Sequence, residues 1–175
     1  CNFTNHTYFN LKAEGDILDH QLMIKANNIT PVDETLIPTG ELMPVEGTPF
    51  DFRNPKPIGA EINGEHEQMK IGGGYDHNYV INKASSGMEL IAYFSENTTG
   101  RVVEVYSEEP GVQFYSGNFL NGKVSGKGKT YEYRTGFCLE TQHFPNSPNE
   151  PDFPSTRLGA GKRYTTQTMW RFSAR

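Results

Sequence analysis

Short runs rich in Val, Ile, Phe and Tyr recur along this chain between clusters of Gly, Pro, Asn and Ser, and no stretch of about a dozen residues keeps the i, i+3, i+4 apolar spacing of a helix. That pattern predicts strands over residues 2–11, 20–26, 79–83, 88–94, 101–107, 112–116, 136–142 and 164–173, with a single helical turn near 61–69. Such segments bury an apolar face by stacking sheet on sheet or by closing a sheet on itself, so the expected class is an all-β antiparallel sandwich or barrel. With 175 residues, 35% of them hydrophobic, the chain can bury one sizeable core but not two, and one domain is expected.

The formal net charge of -5, with Lys and Arg scattered, offers no electrostatic footprint for a phosphate backbone, so nucleic acid is not an expected partner. No apolar run approaches the length of a membrane span, and a soluble chain from a cytoplasmic parent is expected, a periplasmic or secreted parent being left open. The two cysteines, Cys1 and Cys138, have no CxxC or other ligand spacing and read as reduced thiols. Acceptor triplets at Asn2, Asn5, Asn28 and Asn97 are what an Asn- and Thr-rich sequence produces by chance. The abrupt start in mid-strand, without an initiator methionine, leads to the expectation of a later part of a longer protein.

Read at a period of two, the first stretch puts Phe3, Asn5, Thr7, Phe9 and Leu11 on one face and Asn2, Thr4, His6, Tyr8 and Asn10 on the other. The second face is either a solvated sheet surface or the lining of a cleft that hydrogen-bonds a polyol. Asp76 follows the run Gly72-Gly73-Gly74 and precedes a strand expected from about Tyr79; it reads as a site carboxylate or, with Asn78, as part of a hairpin loop bonded to its own backbone. A phosphate cradle is a weak reading, since neither a following helix nor Lys-Ser/Thr accompanies the glycines. Gln113 and Tyr115 share one strand face, an amide beside a ring, which either suits a sugar or belongs to an aromatic hairpin packed into the core. Glu140 lies in the otherwise apolar Phe137-Cys138-Leu139-Glu140-Thr141-Gln142, where burial would raise its pKa toward that of a general base; a paired strand-edge glutamate is the alternative.

His20, His66, His77 and His143 show no metal spacing and read mostly as ordinary surface or loop residues. No Gly-x-Ser-x-Gly elbow occurs, and Cys138 faces no recognisable base. Two proline-rich passages, 31–57 and 145–154, hold Phe50, Phe52, Phe144 and Phe153, so they are expected as ordered loops that wall a site.

In order, Asn5-His6-Thr7-Tyr8-Phe9-Asn10-Leu11, Asp19-His20, Pro31-Val32-Asp33, Ile37-Pro38-Thr39-Gly40-Glu41, Gly47-Thr48-Pro49-Phe50-Asp51-Phe52-Arg53, Gly74-Tyr75-Asp76-His77-Asn78, Gly117-Asn118-Phe119-Leu120 and Leu139-Glu140-Thr141-Gln142 resemble the aldose 1-epimerases, also called galactose mutarotases. The resemblance implies that family's large twisted antiparallel β-sandwich and the interconversion of α and β anomers of free hexoses, without cofactor or metal. It also implies His6 as general acid on the ring oxygen, Glu140 as general base on the anomeric hydroxyl, and Asp76 and Gln113 as sugar-binding residues. Asn5 and Tyr8, beside His6, complete the expected substrate-binding set.

Members of the family carry an earlier half with further strands, an arginine and another histidine at the site. Residues 1–175 are therefore expected to form the C-terminal portion of one such sandwich domain and to require the missing N-terminal half. Two other readings stay open: a glycoside hydrolase using Asp76 and Glu140, and a non-catalytic carbohydrate-binding sandwich. A sugar-phosphate epimerase would need a cluster of Arg or Lys, which this sequence does not supply.

Overall fold

A computed structural model describes residues 1–175. Its strands are β1 (Tyr8–Phe9), β2 (Gln21–Ile24), β3 (Ala26–Thr30), β4 (Met43–Pro44), β5 (Lys56–Pro57), β6 (Asp76–Ile81), β7 (Glu89–Ser95), β8 (Arg101–Ser107), β9 (Gly111–Tyr115), β10 (Val124–Gly126), β11 (Lys129–Tyr131), β12 (Phe137–Gln142) and β13 (Thr168–Ala174). A 3-10 turn (Ile58–Ala60) and one short α-helix, α1 (Glu67–Gly72), interrupt them. A six-stranded sheet runs β1-β12-β9-β6-β3-β4, a five-stranded sheet runs β13-β8-β7-β2-β5, and β10 and β11 form a separate hairpin. Every pairing is antiparallel, as expected for an all-β sandwich. No helix is long and apolar enough to cross a membrane.

The two large sheets meet through one continuous core. Phe9, Phe137, Leu139, Val112, Phe114 and Tyr79 come from the six-stranded sheet, and Leu22, Ile24, Ile91, Phe94, Val103 and Val105 from the five-stranded one. Phe94 meets Phe137 edge to face, with ring centroids 4.9 Å apart, which ties the middle of one sheet to the middle of the other. The passage 31–57 is not a site wall. It drives Phe50 and Phe52 wholly into this core, Phe52 lying 5.1 Å from the Tyr75 ring and 5.6 Å from Phe114. Full burial of such a ring stabilises by roughly 1.5–3 kcal/mol, enough to order a long connection that has little regular structure.

Several elements depart from the sequence-based expectation. Of residues 2–11, only Tyr8 and Phe9 find a partner strand, opposite Cys138 and Phe137. Upstream, Asn5 Oδ1 accepts from the Thr7 amide at 3.1 Å, a local bond that replaces a ladder bond. The single strand expected over 20–26 is two: β2 belongs to the five-stranded sheet, β3 to the six-stranded one, and the chain changes sheets at Lys25. Strand β6 begins at Asp76 rather than Tyr79, because pairing with β9 overrides the low strand preference of Asp76, His77 and Asn78. The helical turn lies at α1, later than expected; the His66 ring accepts from the Gln68 amide at its start, and Gly73, at φ +62°, ends it.

Candidate active site on the outer sheet face

Register assembles the site. Across the six-stranded sheet, Tyr8 pairs with Cys138, Cys138 with Tyr115, and Tyr115 with Asp76, so four side chains from β1, β12, β9 and β6 form one row. In the next row Glu140 pairs with Gln113, Gln113 with Asn78, and Asn78 with Thr30. Both rows point away from the core, since Phe137, Leu139, Phe114 and Tyr79 take the alternate positions. Tyr8, Tyr115 and Asp76 of the first row and Glu140 and Gln113 of the second, together with His6, line an open cleft of about 400 Å³. Phe119, Gln142 and Pro145 complete its rim.

His6 reaches in from the residues just before β1, and its Nε2 lies 3.4 Å from Glu140 Oε1. The Glu140 side chain is only 10% exposed, whereas that of His6 is 53% exposed, so the acid is fixed in the sheet and the imidazole stands over it on the solvent side. The His6 ring stacks on Tyr8 at 5.2 Å. Opposite, Gln113 Nε2 donates to Asp76 Oδ1 at 2.8 Å, which holds a carboxylate and an amide side by side. Tyr115 and Phe119 stack with 19° between their planes, and the Phe119 amide donates to Tyr115 Oη at 2.8 Å, fixing the loop against the strand.

Burial raises the pKa of Glu140; the nearby His6 opposes the rise and the Asp76 charge adds to it. Burial also raises Asp76, against the lowering effects of the Gln113 hydrogen bond and of His6. Tyr8 is pushed up to about 12, first by burial and then by Cys138. The cleft thus holds two carboxylates whose charged forms are both disfavoured by desolvation, with one imidazole beside Glu140.

The approach to Asp76 is rigid. Gly74 has φ +139°, and a Cβ there would lie 2.4 Å from Asn118 Oδ1. Asn118 Nδ2 donates to the carbonyls of Gly72 and Tyr75, each at 3.0 Å, and Ser116 Oγ donates to Asn118 Oδ1 at 2.7 Å. The glycines therefore form a clamped turn that lets Asn118 close on the backbone at the start of β6. One position on, His77 is buried: its Nδ1 accepts from the Asp76 amide at 3.2 Å, so its Nε2 carries the proton and donates to Gln68 Oε1 at 3.1 Å.

His6, Glu140, Asp76, Gln113 and Tyr8 are brought together as the sequence suggested, and Asn5 is not. Its carboxamide turns onto Thr7, outside the cleft. His20 and His77 are fully buried rather than superficial, His66 caps α1, and His143 Nδ1 lies 2.6 Å from Glu109 Oε2. Asn78 is a buried strand residue, not a turn residue bonded to its own backbone. Cys138 does face a base: its Sγ is 3.3 Å from His6 Nδ1. The period-two relation of Cys138 to Glu140 was the available signal for that contact. Phe119 and Pro145 come from loops, where alternation gives no signal, and Phe119 was marked only by the motif Gly117-Asn118-Phe119-Leu120.

A sequence profile described as Aldose 1-epimerase matches residues 1–171. The chain belongs to the aldose 1-epimerase family. It is 46% identical over 175 residues to the galactose mutarotases of Rattus norvegicus and Homo sapiens, covering 98% of this chain and 49% of each relative. To the aldose 1-epimerase of Escherichia coli (strain K12) it is 39% identical over 176 residues, covering 99% of this chain and 51% of that one. Among solved structures, a GalM/aldose epimerase homologue from C. elegans superposes with a TM-score of 0.86 at 27% identity, over 99% of this chain and 51% of the other. The galactose 1-epimerase of Lactobacillus acidophilus NCFM superposes with a TM-score of 0.83 at 29% identity, over 99% and 48%. The antiparallel sandwich is thus the aldose epimerase fold, and the chain spans about half the length of the curated relatives it matches.

Proposed function

We propose that the protein of this chain is an aldose 1-epimerase that interconverts the α and β anomers of free hexoses, with Glu140 as general base and His6 as general acid. The contact between Glu140 Oε1 and His6 Nε2 carries the reading. The ring oxygen and the anomeric hydroxyl of a hexopyranose share one carbon, so a base serving one and an acid serving the other must themselves be neighbours. Glu140 takes the hydroxyl proton; the O–H electron pair becomes the second bond of the C1 carbonyl; the C1–ring oxygen bond breaks, and the released pair on that oxygen takes the proton of His6. Rotation about C1–C2 presents the other carbonyl face, and the same steps in reverse return each proton to its donor and close the ring as the opposite anomer.

Glu140 is suited to the role because burial raises its pKa, so its carboxylate is a stronger base than one in water. Asp76 and Gln113, hydrogen-bonded to each other, leave lone pairs and a second amide proton for sugar hydroxyls. The Tyr115 and Phe119 rings offer flat apolar surface to the C–H face of the ring. Tyr8, stacked on His6, holds the imidazole over the cleft.

Polarimetric relaxation of fresh α-glucose and α-galactose, catalysed by the purified full-length protein, tests the assignment. Glu140→Gln should lower the rate by about 10²–10⁴-fold with sugar affinity changed less than about tenfold. His6→Asn should lower turnover of bound sugar more than it lowers binding. A Glu140→Gln protein with the wild-type rate would remove Glu140 from the mechanism. Phenol release from an aryl glycoside, without faster relaxation of free sugar, would place the activity among hydrolases.

A further inference from the structure

The sheet face that brings His6 and Glu140 together carries a third donor. Cys138 stands two residues before Glu140 on β12, hence on the same face, and its Sγ lies 3.3 Å from His6 Nδ1. One donor atom each from His6, Cys138 and Glu140 fall within 4.8 Å of one another. Ligands of a tetrahedral zinc ion, at bond lengths of about 2.0–2.3 Å, stand roughly 3.4–3.6 Å apart. The Cys138–His6 separation, 3.3 Å at Nδ1, is already close to this spacing. The cleft also holds Asp76 as a second carboxylate.

We propose that His6, Cys138 and Glu140 form a binding site for a thiophilic divalent cation, Zn²⁺ foremost, whose occupancy excludes the sugar. Sulfur, nitrogen and oxygen donors together suit Zn²⁺, whereas Mg²⁺ and Ca²⁺ take oxygen donors. Three protein donors leave a fourth coordination position for a water molecule. Zn²⁺ takes cysteine as the thiolate, so binding releases the thiol proton to solvent, and the thiolate and the Glu140 carboxylate then balance the two charges of the ion. Inhibition follows because coordination occupies the carboxylate and the imidazole; that consequence rests on the acid–base roles proposed above, and metal binding itself does not.

The test is a Co²⁺ titration of the purified full-length protein without sugar, following the thiolate-to-cobalt charge-transfer absorption, then displacement by Zn²⁺ with proton release read in weak buffer. Wild type should show the band and release about one proton per bound ion. Cys138→Ser and Cys138→Ala should each lose the band and about 100-fold or more in Zn²⁺ affinity, while Cys1→Ser keeps both. His6→Asn and Glu140→Gln should keep the band with affinity lowered about 10–100-fold. Circular dichroism melts of each variant separate loss of the site from loss of the fold. No band in wild type, a band that survives in folded Cys138→Ala, or one lost in Cys1→Ser would overturn the site. Undiminished sugar turnover at saturating Zn²⁺ would overturn the exclusion of sugar.

Discussion

His77 should make the sheet that carries the site sensitive to acid. The ring is fully buried in contact with Phe50, centroids 4.7 Å apart, and is hydrogen-bonded to the Asp76 amide and to Gln68. Burial, with a smaller contribution from His66, lowers its pKa from 6.5 to about 3. Because the folded value is depressed, the unfolded chain takes up the proton first. The stabilising contribution is whole above about pH 6.5 and is lost as pH falls toward about 3. With those two values, linkage gives a loss of about 2 kcal/mol at pH 5, rising toward about 5 kcal/mol below pH 3. His77→Gln keeps a donor for Gln68 but cannot titrate. Urea melts of wild type and variant at pH 8 and pH 5 give the comparison: the variant should be the less stable at pH 8 by about 1–3 kcal/mol, and the gap should narrow by about 2 kcal/mol at pH 5. Using the difference between the two proteins cancels the titration of Asp76 and Glu140, whose raised pKa values act in the opposite sense. An equal gap at both pH values would refute the reasoning and mean that the buried imidazole is not the group that takes up protons on unfolding.

Asp76→Asn keeps an acceptor for Gln113 but removes the charge that helps raise the pKa of Glu140, so the acid limb of the sugar-isomerisation rate should move to lower pH while the KM rises. A pH–rate profile with an unmoved acid limb would show that burial alone sets Glu140. Gly111→Ala would place a Cβ 2.5 Å from Asn78 Oδ1 and 3.0 Å from the Phe144 ring, and should cost about 1–3 kcal/mol in a denaturant melt; a variant as stable as wild type would show that the Phe144 loop gives way freely.

The outline of the sandwich and the sidedness of its strands were legible in local sequence, because a period of two fixes which residues share a face whatever the strand pairs with. That is why Glu140 and Gln142 could be set apart from Phe137 and Leu139, and Gln113 and Tyr115 from Val112 and Phe114. Local sequence did not show which strands would be neighbours or in what register. The row Tyr8, Cys138, Tyr115, Asp76 draws on four strands far apart in the chain, and its alignment depends on the fit of the whole core. The same holds for the change of sheet at Lys25, which alternation cannot mark, and for Asn5, whose face was legible but whose stretch pairs only at Tyr8 and Phe9. Burial was the other hidden quantity. Every residue of β12 is buried, on the outer face as well as the inner, and neighbouring Phe144 is itself buried against Phe153. Periodicity names the side of a strand but not what lies over it. Sequence supplied a carboxylate and an imidazole; only long-range pairing placed them 3.4 Å apart, with a thiol beside them.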